Sequence, residues 1–131
     1  MINPSDSPYA SFTENEFAPC LNWARMKWFS SLYGPQNEEQ RAALDARPEF
    51  HIQPITGVLK GVCDTFVATA GADPLRDEGE DYARKLAQDG VKVTHRRYTG
   101  VPHPFMHMLT IRKAQMYLED ICAELKKAHG A

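Results

Sequence analysis

The sequence predicts an α/β fold: parallel strands joined by a crossover helix and preceded by helical segments. Three observations carry that prediction. Thr65–Ala70 is a short apolar, β-prone run that stops at Gly71. A helix-start pattern at Asp77 and Glu80 opens a charged segment that closes at Gly90. Val91–Tyr98 then alternates in side-chain character, as a strand nearer a sheet edge does. Strand, helix and strand at this spacing form a βαβ unit, which sets the strands parallel and the connection right-handed.

The elements follow in order. Met1 to Glu16, rich in Ser, Pro, Asn and Asp, reads as a loop ordered on contact. Pro19 opens an apolar helix over Cys20–Tyr33. Leu21, Ala24, Trp28 and Leu32 share one face, and Trp23, Met26 and Phe29 cover much of the rest. A helix apolar almost all round calls for burial on more than one side. Gly34–Pro35 ends it. Asn37 with Gln40 resembles a capping box for a short helix through Ala46, which Pro48 closes. Phe50 to Asp64 carries Pro54, Gly57 and Gly61 and reads as loop and turns. Thr65–Ala70 has the composition of a strand buried on both faces. Gly79, Tyr82, Ala83 and Leu86 form the apolar stripe of the crossover helix. Thr99 to Thr110 reads as a loop. A last helix runs from Ile111 to Ala128, with Ile111, Ala114, Leu118, Ile121, Cys122 and Leu125 as its core stripe and Lys126–Lys127 suited to its C-terminal dipole.

Size and charge bound the function. The 131 residues suffice for one domain. A net charge of −2, with Arg96–Arg97 and Lys126–Lys127 the only adjacent basic pairs, gives no basic field for nucleic acid or an anionic membrane. No run of about 18 apolar residues is present to span a bilayer. MINPSDSPYA is polar and unlike a signal peptide. Cys20, Cys63 and Cys122 form no CxxC pair and sit among apolar residues, so they read as small buried hydrophobes in a reducing, cytoplasmic setting.

Chemistry concentrates where an open α/β sheet presents its groups, at the carboxyl ends of the strands. Asp73 lies three residues past Ala70 and His103 five past Tyr98. On neighbouring strands about 4.8 Å apart, a carboxylate and an imidazole in these loops can meet. Such a carboxylate fixes the histidine tautomer and stabilises its charged form while the ring acts as a general base. Each residue also has a plainer account: Asp73 as a turn aspartate before proline, His103 as a loop histidine bonded to backbone. His95, His103 and His107 invite a metal reading, but Pro104 opposes a single helical face and a zinc site needs three or four spaced ligands. No metal or cofactor is assigned. Asp77, Glu78 and Glu80 are read as helix-start acids, and Cys63 as buried.

GADPLRDEGEDYARKL followed by RRYTGVPHPFMHM resembles the C-terminal half of the α/β-hydrolase-3 family, the hormone-sensitive-lipase-like carboxylesterases. The likeness is strongest over Asp64 to Met108. It implies the C-terminal portion of an α/β-hydrolase fold, Asp73 as triad acid, His103 as triad base and a small-molecule ester as substrate. The Asp-before-His order agrees with that family's Ser, Asp/Glu, His sequence. NPSDSPYA and the helix with Trp23 and Trp28 look like the stretch after the nucleophile strand, contributing to a cap. Trp23, Met26, Trp28 and Phe29 would then line an acyl pocket, or simply pack. Where many members have His-Gly-Phe, this chain has His103-Pro104-Phe105. Neither G-x-S-x-G nor an H-G-G loop occurs in the 131 residues. The expectation is a single partial domain, with 1–60 cap-like and 61–131 strand-helix-strand-helix, and little esterase activity by itself. The alternative is a non-catalytic remnant or interaction module using its open sheet edge. Two strands are too few for a stable sheet, so a marginal fold, a sheet-completing homodimer or a truncated gene model is expected.

Overall fold

The computed structural model describes residues 4–130. Its elements are α1 (Ala10–Glu14), α2 (Trp23–Tyr33), α3 (Glu38–Asp45), β1 (Thr65–Ala72), α4 (Arg76–Gln88), β2 (Val93–Pro102) and α5 (Arg112–His129). The two strands pair in parallel, and α4 is the crossover between them. The predicted α/β topology is therefore present, with α1–α3 preceding it as cap-like helices.

One face of the sheet holds the main core. Ala70, Tyr98, Val101, Phe105 and Ala114 are buried together, with Met116 and Tyr117 of α5 packed against them. The Tyr98 ring lies 5.0 Å from Phe105 and 5.9 Å from Tyr117. Edge and offset contacts at such distances stabilise a core beyond the area they bury. The Tyr98 hydroxyl donates to Asp120 Oδ2 at 2.5 Å, which satisfies the polar end of a ring only 2% exposed. Burial, then the neighbouring carboxylate, raises that phenol well above its ordinary value. The opposite face packs against α4 through Ala83 and Leu86, both buried.

Pairing runs in register from Thr65↔Val93 to Ala70↔Tyr98 and then slips, so that the next pair is Ala72↔Pro102. Two residues of β1 thus oppose four of β2, and the excess is taken up around Thr99–Gly100, where Gly100 has φ +72°. Gly71 faces this bulge. A Cβ there would sit 3.0 Å from both Thr99 Cα and Gly100 N. β1 consequently extends past Gly71 instead of stopping at it. β2 begins two residues later than the alternation suggests and absorbs the first part of the Thr99–Thr110 loop.

Several expectations need correction. The N-terminal stretch was expected as a loop. It carries a 3-10 turn at Pro4–Asp6 and the short helix α1, while Met1–Asn3 lie outside the described residues. No side chain caps α1; its contacts with α4, described below, hold it instead. The Cys20–Tyr33 helix starts at Trp23, because Cys20 takes φ 70° and Asn22 Oδ1 accepts from Arg25 N at 3.0 Å as the cap. Its predicted burial fails: Trp28, Phe29, Leu32 and Tyr33 are 57%, 52%, 63% and 97% exposed. Trp23 makes a ring contact with Phe12 at 5.9 Å, whereas Trp28 and Phe29 meet each other at 4.9 Å.

The α3 cap is realised in shifted form. Asn37 Oδ1 accepts from Gln40 N at 2.9 Å, and Gln40 Oε1 accepts from Gln36 N at 2.8 Å. Phe50–Asp64 is loop with 3-10 turns at Glu49–His51 and Pro54–Thr56. The α5 stripe is only half used. Ala114 is buried, whereas Leu118 and Leu125 are 43% and 53% exposed and Cys122 is exposed, because a sheet this narrow underlies only part of an 18-residue helix. Cys63 is exposed too and Cys20 half-buried, which overturns the expected burial of the cysteines: Cys63 sits in the turn before β1, and Cys122 on the uncovered flank of α5.

Gly71→Ala is expected to cost about 1–3 kcal/mol by forcing backbone against backbone at the bulge. A urea titration reads this as a lowered midpoint; an unchanged midpoint would mean that β2 yields freely at Thr99.

Candidate active site

Asp73 and His103 are each the first residue beyond their strand, since β1 ends at Ala72 and β2 at Pro102. Pairing of those two strand ends brings the side chains together, with His103 Nδ1 2.9 Å from Asp73 Oδ2. An ionised carboxylate only accepts, so Nδ1 carries the proton and Nε2 is left as the acceptor. The other carboxylate oxygen, Oδ1, accepts from Leu75 N at 2.9 Å. Both oxygens are thereby satisfied, as a side chain that is only 9% exposed requires. The imidazole is 42% exposed. A cavity of about 340 Å³ opens beside it, bounded by Asp73, Leu75, His103, Phe105, Met106 and Tyr117, and continues along β1 from Phe66 to Ala70. Among the described residues β1 pairs only with β2, so this groove follows its unpaired edge.

The turn that carries Asp73 is gripped from outside by α1. Ser11 Oγ donates to the Pro74 carbonyl at 2.7 Å and accepts from Asp77 N at 3.2 Å. Ser11 N donates to Asp77 Oδ2 at 2.8 Å. Asn15 Nδ2 donates to the Asp73 carbonyl at 3.3 Å. Tyr9 donates to Asp81 Oδ2 at 2.9 Å, and burial together with that carboxylate pushes its phenol up to about 12. Arg76 ties the turn from within: it bonds Asp77 and Glu14, both at 2.7 Å, and the Gly71 carbonyl at 3.1 Å. The Arg76 guanidinium, helped by Ser11 N, holds the Asp77 carboxyl below the ordinary range.

None of these α1 contacts was predicted from sequence spacing. The partners lie 58 to 72 residues apart, and no periodicity links them. Of the residues involved, only Tyr9 falls in the NPSDSPYA stretch that resembles the family. The expected capping role of Asp77 and Glu80 is also corrected. Leu75 precedes α4 without a side-chain cap, and the loop's own Asp73 takes the Leu75 and Arg76 amides through its Oδ1 and carbonyl. That frees Asp77 for Ser11 and Arg76, and Glu80 for Arg97 and Thr69.

His95 stands apart from His103, with Nε2 3.2 Å from Thr69 Oγ1 and 3.9 Å from Glu80 Oε1. His107 lies exposed in a 3-10 turn. Among the described residues no three His, Cys, Asp or Glu side chains gather to hold a metal ion, and none of the helices is long and apolar enough to cross a membrane. Trp23, Met26, Trp28 and Phe29 do not line the groove beside His103.

The chain is similar to known proteins. Residues 1–107 match the model of a family described as alpha/beta hydrolase fold. An esterase of Gibberella moniliformis is 30% identical over 129 residues, a match covering 96% of this chain and 40% of that protein. Carboxylesterase NlhH of Mycobacterium tuberculosis is 34% identical over 89 residues, 68% of this chain and 27% of that one. Among solved structures, the hyperthermophilic esterase of Pyrobaculum calidifontis superposes with a TM-score of 0.79 at 30% identity, covering 99% of this chain and 41% of its own. The chain therefore spans well under half the length of these relatives.

Glu80 supplies a test of the face opposite the aromatic core. Its carboxyl is held below its usual 4.5, first by the Arg97 guanidinium and further by the Thr69 hydroxyl, against the cost of burial. A carboxyl whose folded value is depressed contributes stability above its unfolded value and loses it as pH falls through the folded one. Glu80→Gln is expected to flatten the loss of stability between about pH 5 and pH 3, read from unfolding midpoints across that window. An acid limb identical to that of the unaltered protein would show that the Glu80–Arg97 pair carries no stability.

Proposed function

The chain belongs to the alpha/beta hydrolase fold family, and on that premise we propose that Asp73 and His103 are the acid and base of a serine-carboxylesterase triad acting on small-molecule esters. The observation that carries the reading is the 2.9 Å contact between His103 Nδ1 and Asp73 Oδ2 at adjoining strand ends. The esterase names of the relatives support the reaction class.

In this mechanism His103 Nε2 takes the proton of an attacking serine hydroxyl as its oxygen bonds to the ester carbonyl carbon. It then gives that proton to the departing alcohol. In the second half, water replaces the serine and the transfers repeat. Asp73 holds the ring in the Nδ1–H form and stabilises the imidazolium formed in each half. Neither the attacking serine in a G-x-S-x-G turn nor the donors of an H-G-G loop occur in the 131 residues. Removing one oxyanion donor costs about 10²–10³ in turnover, and without a nucleophile no acyl-enzyme forms. These residues are therefore proposed to supply the acid–base half of a site whose other half lies outside them. Within this reading, residues 1–60 are the cap-like segment and 61–131 the part that carries the dyad. A second reading, an interaction module, is favoured by two features: among the described residues β1 pairs only with β2, and the apolar side chains of α2 are exposed.

Two assays separate the readings. The purified chain with p-nitrophenyl butyrate is expected to give no turnover above a blank. A chimera that joins it to the portion of the Pyrobaculum calidifontis esterase it does not cover is expected to hydrolyse the ester. Asp73→Asn in that chimera is expected to lower turnover by about 10⁴. Turnover by the chain alone, or an active chimera indifferent to Asp73→Asn and His103→Ala, would overturn the triad assignment.

A further inference from the structure

We infer that Ser11 is a positioning residue for the Asp73–His103 pair, acting through the backbone of the Asp73–Pro74 turn with Asn15 as its companion; the inference rests on the dyad reading above. Three observations carry it. Ser11 is 0% exposed, and its short side chain supplies little apolar packing. Its hydroxyl is used twice, donating to the Pro74 carbonyl and accepting from Asp77 N. Asn15, one helical turn on, donates to both the Ser11 carbonyl at 3.1 Å and the Asp73 carbonyl at 3.3 Å. The two carbonyls of the turn, those of Pro74 and Asp73, are thus held by Ser11 in α1 and by Asn15 at its C-terminal cap.

The consequence for the carboxylate is geometric. Asp73 Oδ1 is anchored to Leu75 N, so the direction of Oδ2 follows the orientation of the turn. Oδ2 meets His103 only while the turn stays where α1 holds it. Loss of the Ser11 hydroxyl leaves the Pro74 carbonyl and the Asp77 amide without their buried partner. The turn then relaxes, and the imidazole loses the acceptor that fixes its proton on Nδ1.

Stability alone does not report this role, since any buried hydroxyl destabilises when removed. The imidazole tautomer does. Long-range ¹H–¹⁵N spectra of the intact chain at about pH 9, where an ordinary imidazole is neutral, distinguish Nδ1–H from Nε2–H. The unaltered protein is expected to hold His103 in the Nδ1–H form. Ser11→Ala and the milder Asn15→Ala are each expected to turn that majority into a minority, and Ser11→Thr, which keeps the hydroxyl, to restore it. Val91→Ala, buried just before β2 and so at the opposite end of the sheet from the turn, is expected to lower the melting temperature with no change of tautomer. Should Ser11→Ala not fold, Asn15→Ala decides. An Nδ1–H majority retained in folded Ser11→Ala and Asn15→Ala overturns the positioning role and leaves the dyad standing. So does an equal shift in Val91→Ala. An Nε2–H majority in the unaltered protein overturns the dyad itself, and the positioning role with it.

Discussion

Parallel pairing of β1 with β2, with a slip of two residues just before their ends, is the constraint on which the site depends. Asp73 lies three residues past Ala70 and His103 five past Tyr98, and the pairing up to that point sets Ala70 opposite Tyr98. A regular ladder would leave the two side chains out of step. The bulge at Thr99–Gly100 absorbs the difference and sets Ala72 opposite Pro102, so the next residue on each strand meets the other. Strand bulges commonly re-aim a side chain beside an active site. Here the missing side chain of Gly71 lets β2 make its detour at 3.0 Å from where a Cβ would stand.

The layers on either side of the sheet do different work. The α5 side is an aromatic packing of Tyr98, Phe105 and Tyr117, and it fixes the segment just after His103 because Phe105 is only 2% exposed. The α4 side adds to buried Ala83 and Leu86 two separate charge-assisted groups, Arg76 with Asp77 and Glu14 at the Asp73 turn and Arg97 with Glu80. His103 and Asp73 are therefore steadied by different physics, one by ring contacts and the other by directed hydrogen bonds. Burying a carboxylate such as Asp73 is costly unless its oxygens are bonded, and the Leu75 amide and the His103 ring meet that need.

What the sequence made legible was local. The βαβ order, the acid after β1 and the histidine after β2 follow from residue types at short spacings, and local preferences agree with the final fold there. What escaped was long-range. Ser11, Tyr9 and Asn15 reach partners more than fifty residues away, and nothing in a helix of five residues advertises them. The acids at the start of α4 follow helix-start statistics but are drawn to Arg76, Arg97 and Ser11 because Asp73 had already taken the amides they would cap. The apolar pattern of α2 and of the cysteines predicted burial; that pattern reports what a segment would bury, while the surrounding layers decide whether anything is there to cover it.

The slip between the strands also restricts how this part of the molecule can vary in descent. An insertion or deletion of one residue between Ala70 and Asp73, or between Tyr98 and His103, moves one partner off its rung while leaving the other in place. Lineages that keep the contact must therefore preserve the difference of two between those intervals, changing both tips together or neither. Asp73 and His103, thirty positions apart in the chain, form a single heritable unit whose length is fixed by a detour in the backbone.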